Sequence, residues 1–242
     1  TQVTRQNLSQ NTIQTTMSRF RTLYRQAISE GMIAVQSNPF DKIKVERGNT
    51  HRIGLTQDEV NRIINLDLEE HTALWHTRNY FLFSMYMAGM RISDVMSLKW
   101  ENIVDDRLFY QMQKTKSSRS IPLISQAKVI VELYRNNNKP SDYIFPILSK
   151  YNQKKTTDIQ RYNQKNSRTV SINCQLKKIA KMAEIEKNLS FHFGRHTFAN
   201  IASESEGGNV YMIRQLLGNS SVSITQYYLN CLNYKHHDNL LN

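Results

Sequence analysis

Residues 192–200 read HFGRHTFAN, and residues 216–230 read LLGNSSVSITQYYLN. In the first stretch His192 and Arg195 stand three positions apart, the spacing that sends two side chains from one side of a helix start. Phe198, Ala199 and Ile201 continue that helical pattern. Ahead of the second stretch, Val210 to Leu217 has the apolar recurrence of a helix, and Gly218 is its natural stop. A last helix is expected near 221–228, carrying Tyr227 and Tyr228. A histidine and an arginine on one helix, followed by a tyrosine pair on another, set the frame for the rest of the chain.

Working backward, residues 107–123 change character: RLFYQMQ, a polar KTKSS turn and RSIPL predict a β-hairpin with Lys114 in its turn. Before it, AGMRISDVMSLKW (88–100) places Arg91 just ahead of a helix expected at 92–99, with Asp94 three residues on. Apolar residues 73–88 predict a buried helix, and Trp100 reads as core. Thr56 with Glu59 forms a capping-box pattern ahead of Val60, Ile63 and Ile64. Helices are expected around 125–135 and over 171–185, the latter with Ile172, Leu176, Ile179 and Ala183 on one face and Cys174 in its packing. Residues 147–170 hold six Lys/Arg against the single acid Asp158 and predict a long basic loop, able to track a phosphate backbone or lie solvated.

The first forty residues look helical, with Met17, Phe20, Leu23, Tyr24, Ala27 and Ile28 in one stripe and Gly31 as the stop. One such helical segment is a thin core, so the chain is expected to begin inside a domain. Residues 41–54 are polar and basic without periodicity and read as a linker. The expected architecture is mainly α with a small antiparallel β-sheet: a helical fragment over 1–45, a basic linker over 46–54, and one domain with a tail over 55–242. The formal net charge of +12 favours a polyanionic partner. No apolar run is long enough to span a bilayer and no signal peptide opens the chain, so a cytoplasmic protein without a membrane partner is expected. The two cysteines form no CxxC pattern, which argues against a structural zinc site.

Breaking a DNA phosphodiester without a metal needs a nucleophile at phosphorus, cations on the two non-bridging oxygens, and an acid for the departing sugar oxygen. Arginine suits the oxygens because its fork bonds two at once and stays protonated. Lysine suits the acid role because its pKa is adjustable, and a tyrosine phenol suits covalent attack. These residue types occur here in a set order, and the order resembles the catalytic domain of the tyrosine recombinases, the phage integrase type. The shared pieces are an Arg in a G-x-R-x-S-[ED] stretch, a hairpin Lys before an I-P-L strand, an H-x-x-R-H-T-[FS]-A box and an L-G-[HW]-x-S…T…Y box. They span residues 90–228, and the helices before them, ending in NPF, resemble the end of the family's core-binding domain.

The resemblance implies that Tyr228 attacks the scissile phosphate to form a 3′-phosphotyrosine. The family's tyrosine follows the histidine of its L-G-H box by nine residues, and nine residues after Asn219 stands Tyr228 rather than Tyr227. Arg91 and Arg195 would grip the non-bridging oxygens. Lys114 would be the acid, with Lys116 and Arg119 as close rivals in the same hairpin. His192 would take the tyrosine proton, Asp94 would orient Arg91 or brace the fold, and His196 would be buried and structural. Asn219 departs from the family's His or Trp: it can donate a hydrogen bond but cannot shuttle a proton at neutral pH. No cofactor and no metal are implied. The implied partners are double-stranded DNA, a homo-tetramer on that DNA formed from a protein monomeric when free, and accessory DNA-bending proteins. The implied activity is site-specific recombination, integrating or excising a mobile element. A type IB topoisomerase-like enzyme, a metal-dependent tyrosine relaxase and a DNA-binding regulator without catalysis are the alternatives. The tail 229–242 would dock on a neighbouring protomer.

Overall fold

The computed structural model describes residues 8–34, 39–40, 48, 54–148, 156–204 and 209–218. The chain forms two compact units, Thr1–His51 and Arg52–Asn242. In the first, helix α1 (Gln10–Ser29) starts at Ser9, whose side chain caps Thr12 N at 3.2 Å. It ends where Gly31 takes a left-handed φ of +74°. None of its residues is buried, and Phe20 and Leu23 are exposed. Tyr24 packs edge-on against Phe40 at 5.6 Å between ring centres.

The second unit is built around α3 (Ala73–Tyr86), in which Trp75 and eight of the residues from Thr77 to Met85 are buried. The unit opens with α2 (Gln57–Ile64), whose Thr56–Glu59 capping box is formed in both directions. After α3 come α4 (Ile92–Val95), strands β1 (Ile103–Val104), β2 (Arg107–Gln111) and β3 (Ser118–Pro122), then α5 (Ser125–Glu132). The three strands form one antiparallel sheet in the order β1-β2-β3. Leu108 pairs with Ile121, and both reach the core, which fixes the hairpin's register by burial. Three longer-range elements follow: α6 (Asp158–Met182), α7 (Phe191–Glu204) and α8 (Val210–Leu217). Helix α3 packs against α5, α6 and α7, with Phe81, Phe83, Leu176 and Ile179 fully enclosed. The mainly helical fold with a small antiparallel sheet is as expected. Among the described residues no helix is long and apolar enough to cross a membrane.

Four local expectations need correction. Residues 158–170 are not a loop but the first half of the 25-residue α6. Thr157 and Gln160 form a capping box that starts it, at 3.3 Å and 2.9 Å. The packed second half, with Ile172, Leu176, Ile179 and Ala180 buried, lets the helix propagate backward through residues such as Gln, Lys and Arg that tolerate a helix well. Helix α4 stops at Val95 rather than 99, because Leu98 to Trp100 are drawn into pairing with 142–144: Ile144 N donates to Leu98 O at 3.0 Å and Trp100 N to Asp142 O at 3.1 Å. The sheet gains the short strand β1, which the two-strand reading lacked. Cys174 is exposed, since it lies two residues off the buried stripe of α6, on the far side of the helix. Trp100 is in the core, with the Arg135 guanidinium 4.6 Å above its ring.

Candidate active site

The residues with chemical potential meet where α3 hands over to α4 and where α7 begins. After α3 the chain turns through Gly89, whose φ is +65°. Ser84 Oγ donates to Met90 O at 2.6 Å and Met90 N donates back to Ser84 O at 3.0 Å, which locks the turn. A Cβ on Gly89 would stand 2.7 Å from Arg195 Cα, so this glycine also lets α7 approach the turn. Arg91 then becomes the N-terminal cap residue of α4 without using its side chain as a cap. That side chain is half-buried, and its Nη1 is a buried donor with no hydrogen-bond partner among the described residues. An orphaned guanidinium nitrogen is costly unless an acceptor arrives.

Helix α7 is started by Asn173 of α6, whose Oδ1 accepts from Phe191 N at 2.8 Å. His192 is exposed on the first turn, and the buried ring of His196 stands edge-on to it at 4.7 Å. Arg195, one turn on from His192, is 4 % exposed. It donates from Nη1 to Gly89 O at 3.1 Å and from Nη2 to Leu217 O at the end of α8. Two of its five N–H donors are thus used to hold backbone. Arg91, His192 and Arg195 line one cavity of about 240 Å³ together with Thr169, Asn173 and Ser190.

Asp94 is 1 % exposed and lies within electrostatic reach of Arg91 and Arg195. Its Oδ1 accepts from Gln113 N at 2.8 Å, while Oδ2 is buried without a hydrogen-bond partner among the described residues. Burial pushes its carboxyl pKa up; the Gln113 N–H and the charges of Arg91, Arg195 and Lys165 pull it down without prevailing. Asp94 therefore grips the residue next to Lys114. Lys114 itself is exposed on the six-residue turn 112–117 and is not among the cavity's lining residues. That turn is shaped by Met112 N to Ser117 O and Lys116 N to Met112 O, each 2.9 Å, and by a left-handed Lys116. Of the two rivals for the acid role, Arg119 is engaged elsewhere, donating to Leu216 O.

Lys165, Thr169 and Asn173 were missed by sequence reasoning. They stand four apart on one side of α6, and two of them wall the cavity. Burial lowers the Lys165 pKa, Asp94 raises it, and Lys116 and Arg161 lower it further. The available signal was the T-x-x-Q pattern at 157–160, which marks a helix start and would have turned the presumed loop into a face. Asn219, Tyr227, Tyr228, the helix expected near 221–228 and the tail 229–242 lie outside the described residues. What is described is the approach to them: α8 ends at Leu217, and Gly218 turns the chain with φ +63°. Among the described residues no cluster of His, Cys, Asp and Glu is arranged to hold a metal ion.

Comparison with known proteins places these features. A model of the phage integrase family matches residues 54–235, and a phage integrase SAM-like domain matches residues 2–45. The tyrosine recombinase XerC of Pediococcus pentosaceus is 25% identical over 224 residues, covering 92% of this chain and 72% of the relative. XerD of Lacticaseibacillus casei is 28% identical over 220 residues, 90% of this chain and 71% of the relative. The fold is similar to that of a lambda integrase tetramer solved on a Holliday junction. The TM-score is 0.62 at 18% identity, over 88% of this chain and 57% of that one.

Proposed function

Since the chain belongs to the phage integrase family and is a site-specific recombinase that cuts and rejoins DNA, we propose that its reaction runs through Tyr228 as the nucleophile. The observation that carries this reading is the cavity in which Arg91, His192 and Arg195 converge. Its size and its orphaned Arg91 donor suit a tetrahedral anion with two oxygens to be held. In the step we infer, the Tyr228 oxygen bonds to phosphorus as its proton passes to His192. The bond from phosphorus to the 5′ oxygen breaks, and Lys114 supplies the proton that makes a free 5′-hydroxyl. The products are a 3′-phosphotyrosine and a 5′-hydroxyl; attack by a 5′-hydroxyl of the partner strand reverses the sequence and restores the tyrosine. Arg91 and Arg195 offset the charge that builds on the non-bridging oxygens. Asn219, where the family places His or Trp, donates a hydrogen bond to the phosphate.

In this reading residues 1–45 are part of a core DNA-binding domain, 46–54 a basic linker, and 55–242 the catalytic domain with its tail. The partner is double-stranded DNA, bound by four protomers that exchange strands pairwise with the help of DNA-bending proteins. The setting is the bacterial cytoplasm, and the substrate is a mobile element's ends. A nicked suicide substrate tests the assignment: a covalent adduct is expected with the wild type and with Tyr227→Phe, and none with Tyr228→Phe. An adduct that survives in Tyr228→Phe would transfer the role to another residue.

A further inference from the structure

We propose that Arg119 is a positioning residue: it fastens the β2–β3 hairpin, and with it Lys114, to the C-terminal end of α8. This rests on the reading of Lys114 as the acid. The last carbonyls of a helix have no intrahelical donor and carry the negative end of its dipole. In α8 two adjacent ones are taken by two arginines from different elements. Arg195 of α7 donates to Leu217 O, and Arg119 of β3 donates to Leu216 O. The contact is close on the hairpin side as well. A Cβ on Gly218 would stand 2.8 Å from Met112 Sδ and 3.6 Å from Arg119 Cζ, so the first residue of the hairpin turn packs directly on the helix cap. Met112 is buried and Arg119 half-buried, unlike the exposed residues 113–118 between them.

The arrangement closes a frame. Asp94 holds Gln113 N on one side of Lys114, at 2.8 Å, and Arg119 ties the returning strand to the helix that leads toward Asn219 and Tyr228. The arginine proposed to hold the phosphate and the hairpin proposed to bear the acid are therefore referenced to adjacent carbonyls at one helix end, Leu217 O and Leu216 O respectively. A guanidinium suits this role: it cannot be deprotonated in a protein, so it serves as a permanent fork and not as the acid. Thr115 and Ser117 of the turn, with Tyr211 and Gln215 of α8, flank the joint in an open cleft of about 520 Å³.

The test compares cleavage of two suicide substrates, one with the ordinary 5′ oxygen and one with sulfur there, a leaving group that needs no strong acid. Arg119→Met keeps the aliphatic stem against Met112 and Gly218 and removes the donor; Arg119→Lys keeps the charge. In single-turnover assays Arg119→Met is expected to cleave the oxygen substrate roughly tenfold more slowly than wild type, and the sulfur substrate within about threefold of it, as displacement of a catalytic group predicts. Arg119→Lys is expected to lie between. Equal deficits on the two substrates, the pattern of a smaller folded fraction, would overturn the proposal, as would no deficit. Wild-type protein that forms no adduct on either substrate would instead overturn the reading of Tyr228 chemistry on which it rests.

Discussion

Arg195 and Lys114 are both cations assigned to one phosphate, and their surroundings are opposite. Arg195 is 4 % exposed, bonded to Gly89 O and Leu217 O, and packed so tightly that the facing residue must be a glycine. Lys114 stands exposed on a hairpin turn that is tied to the rest of the fold through Gln113 N on Asp94 and through Arg119 on Leu216 O. The difference fits the role proposed for each. A group that only holds charge is best buried and pre-oriented, because its position then costs nothing at the moment of reaction. A group that gives up a proton and recovers it must reach water between turnovers, so it belongs on a turn that meets the substrate from the open side.

The largest expected effect breaks the buried arm. Arg195→Ala removes charge-assisted bonds worth about 1.5–3 kcal/mol each and leaves two carbonyls without their donor. Its unfolding midpoint should fall together with single-turnover cleavage, the latter by on the order of 10³-fold. Retained stability with lost cleavage would mean that the carbonyl contacts contribute little to the fold. The exposed arm should separate the two readouts. Lys114→Ala should lower cleavage by roughly 10²–10³-fold at an unchanged melting temperature, with most of the loss restored on a 5′-sulfur substrate. No restoration would move the acid role to another residue, with Lys165 the next group to test.

The smallest effect concerns Asp94, which joins the two arms. Its carboxyl pKa is raised by burial. The folded state thus holds this proton to higher pH than the unfolded chain does. Its contribution to stability is present below the ordinary carboxylate range and is lost as pH rises through the raised value. Asp94→Asn keeps an acceptor for Gln113 N and removes the titration. Urea unfolding of the two proteins should show the variant gaining on wild type as pH rises from 3 toward 7, by no more than about 1–2 kcal/mol, and then running parallel. A gap independent of pH would assign the Asp94 effect to shape rather than charge.

How much of this was legible depended on range. The Thr56–Glu59 box, the hairpin, the stop at Gly218 and the three-residue step from His192 to Arg195 are local, and local propensity with side-chain period decides them. The order of Arg91, Lys114, His192, Arg195 and Tyr228, and with it the reaction class, was readable for the same reason: it is a matter of residue type and spacing. Only the tertiary structure decided what depends on partners far along the chain. Residues 158–170 are helical because the half that follows packs on α3, and α4 is cut short because 142–144 claims Leu98 to Trp100. Asp94 becomes a buried clamp on the hairpin through a contact 19 residues away, and Arg119 reaches a carbonyl 97 residues away. A carbonyl's free valence and a carboxylate's loss of water exist only once the chain has closed on itself, so no pattern of residues along it records them.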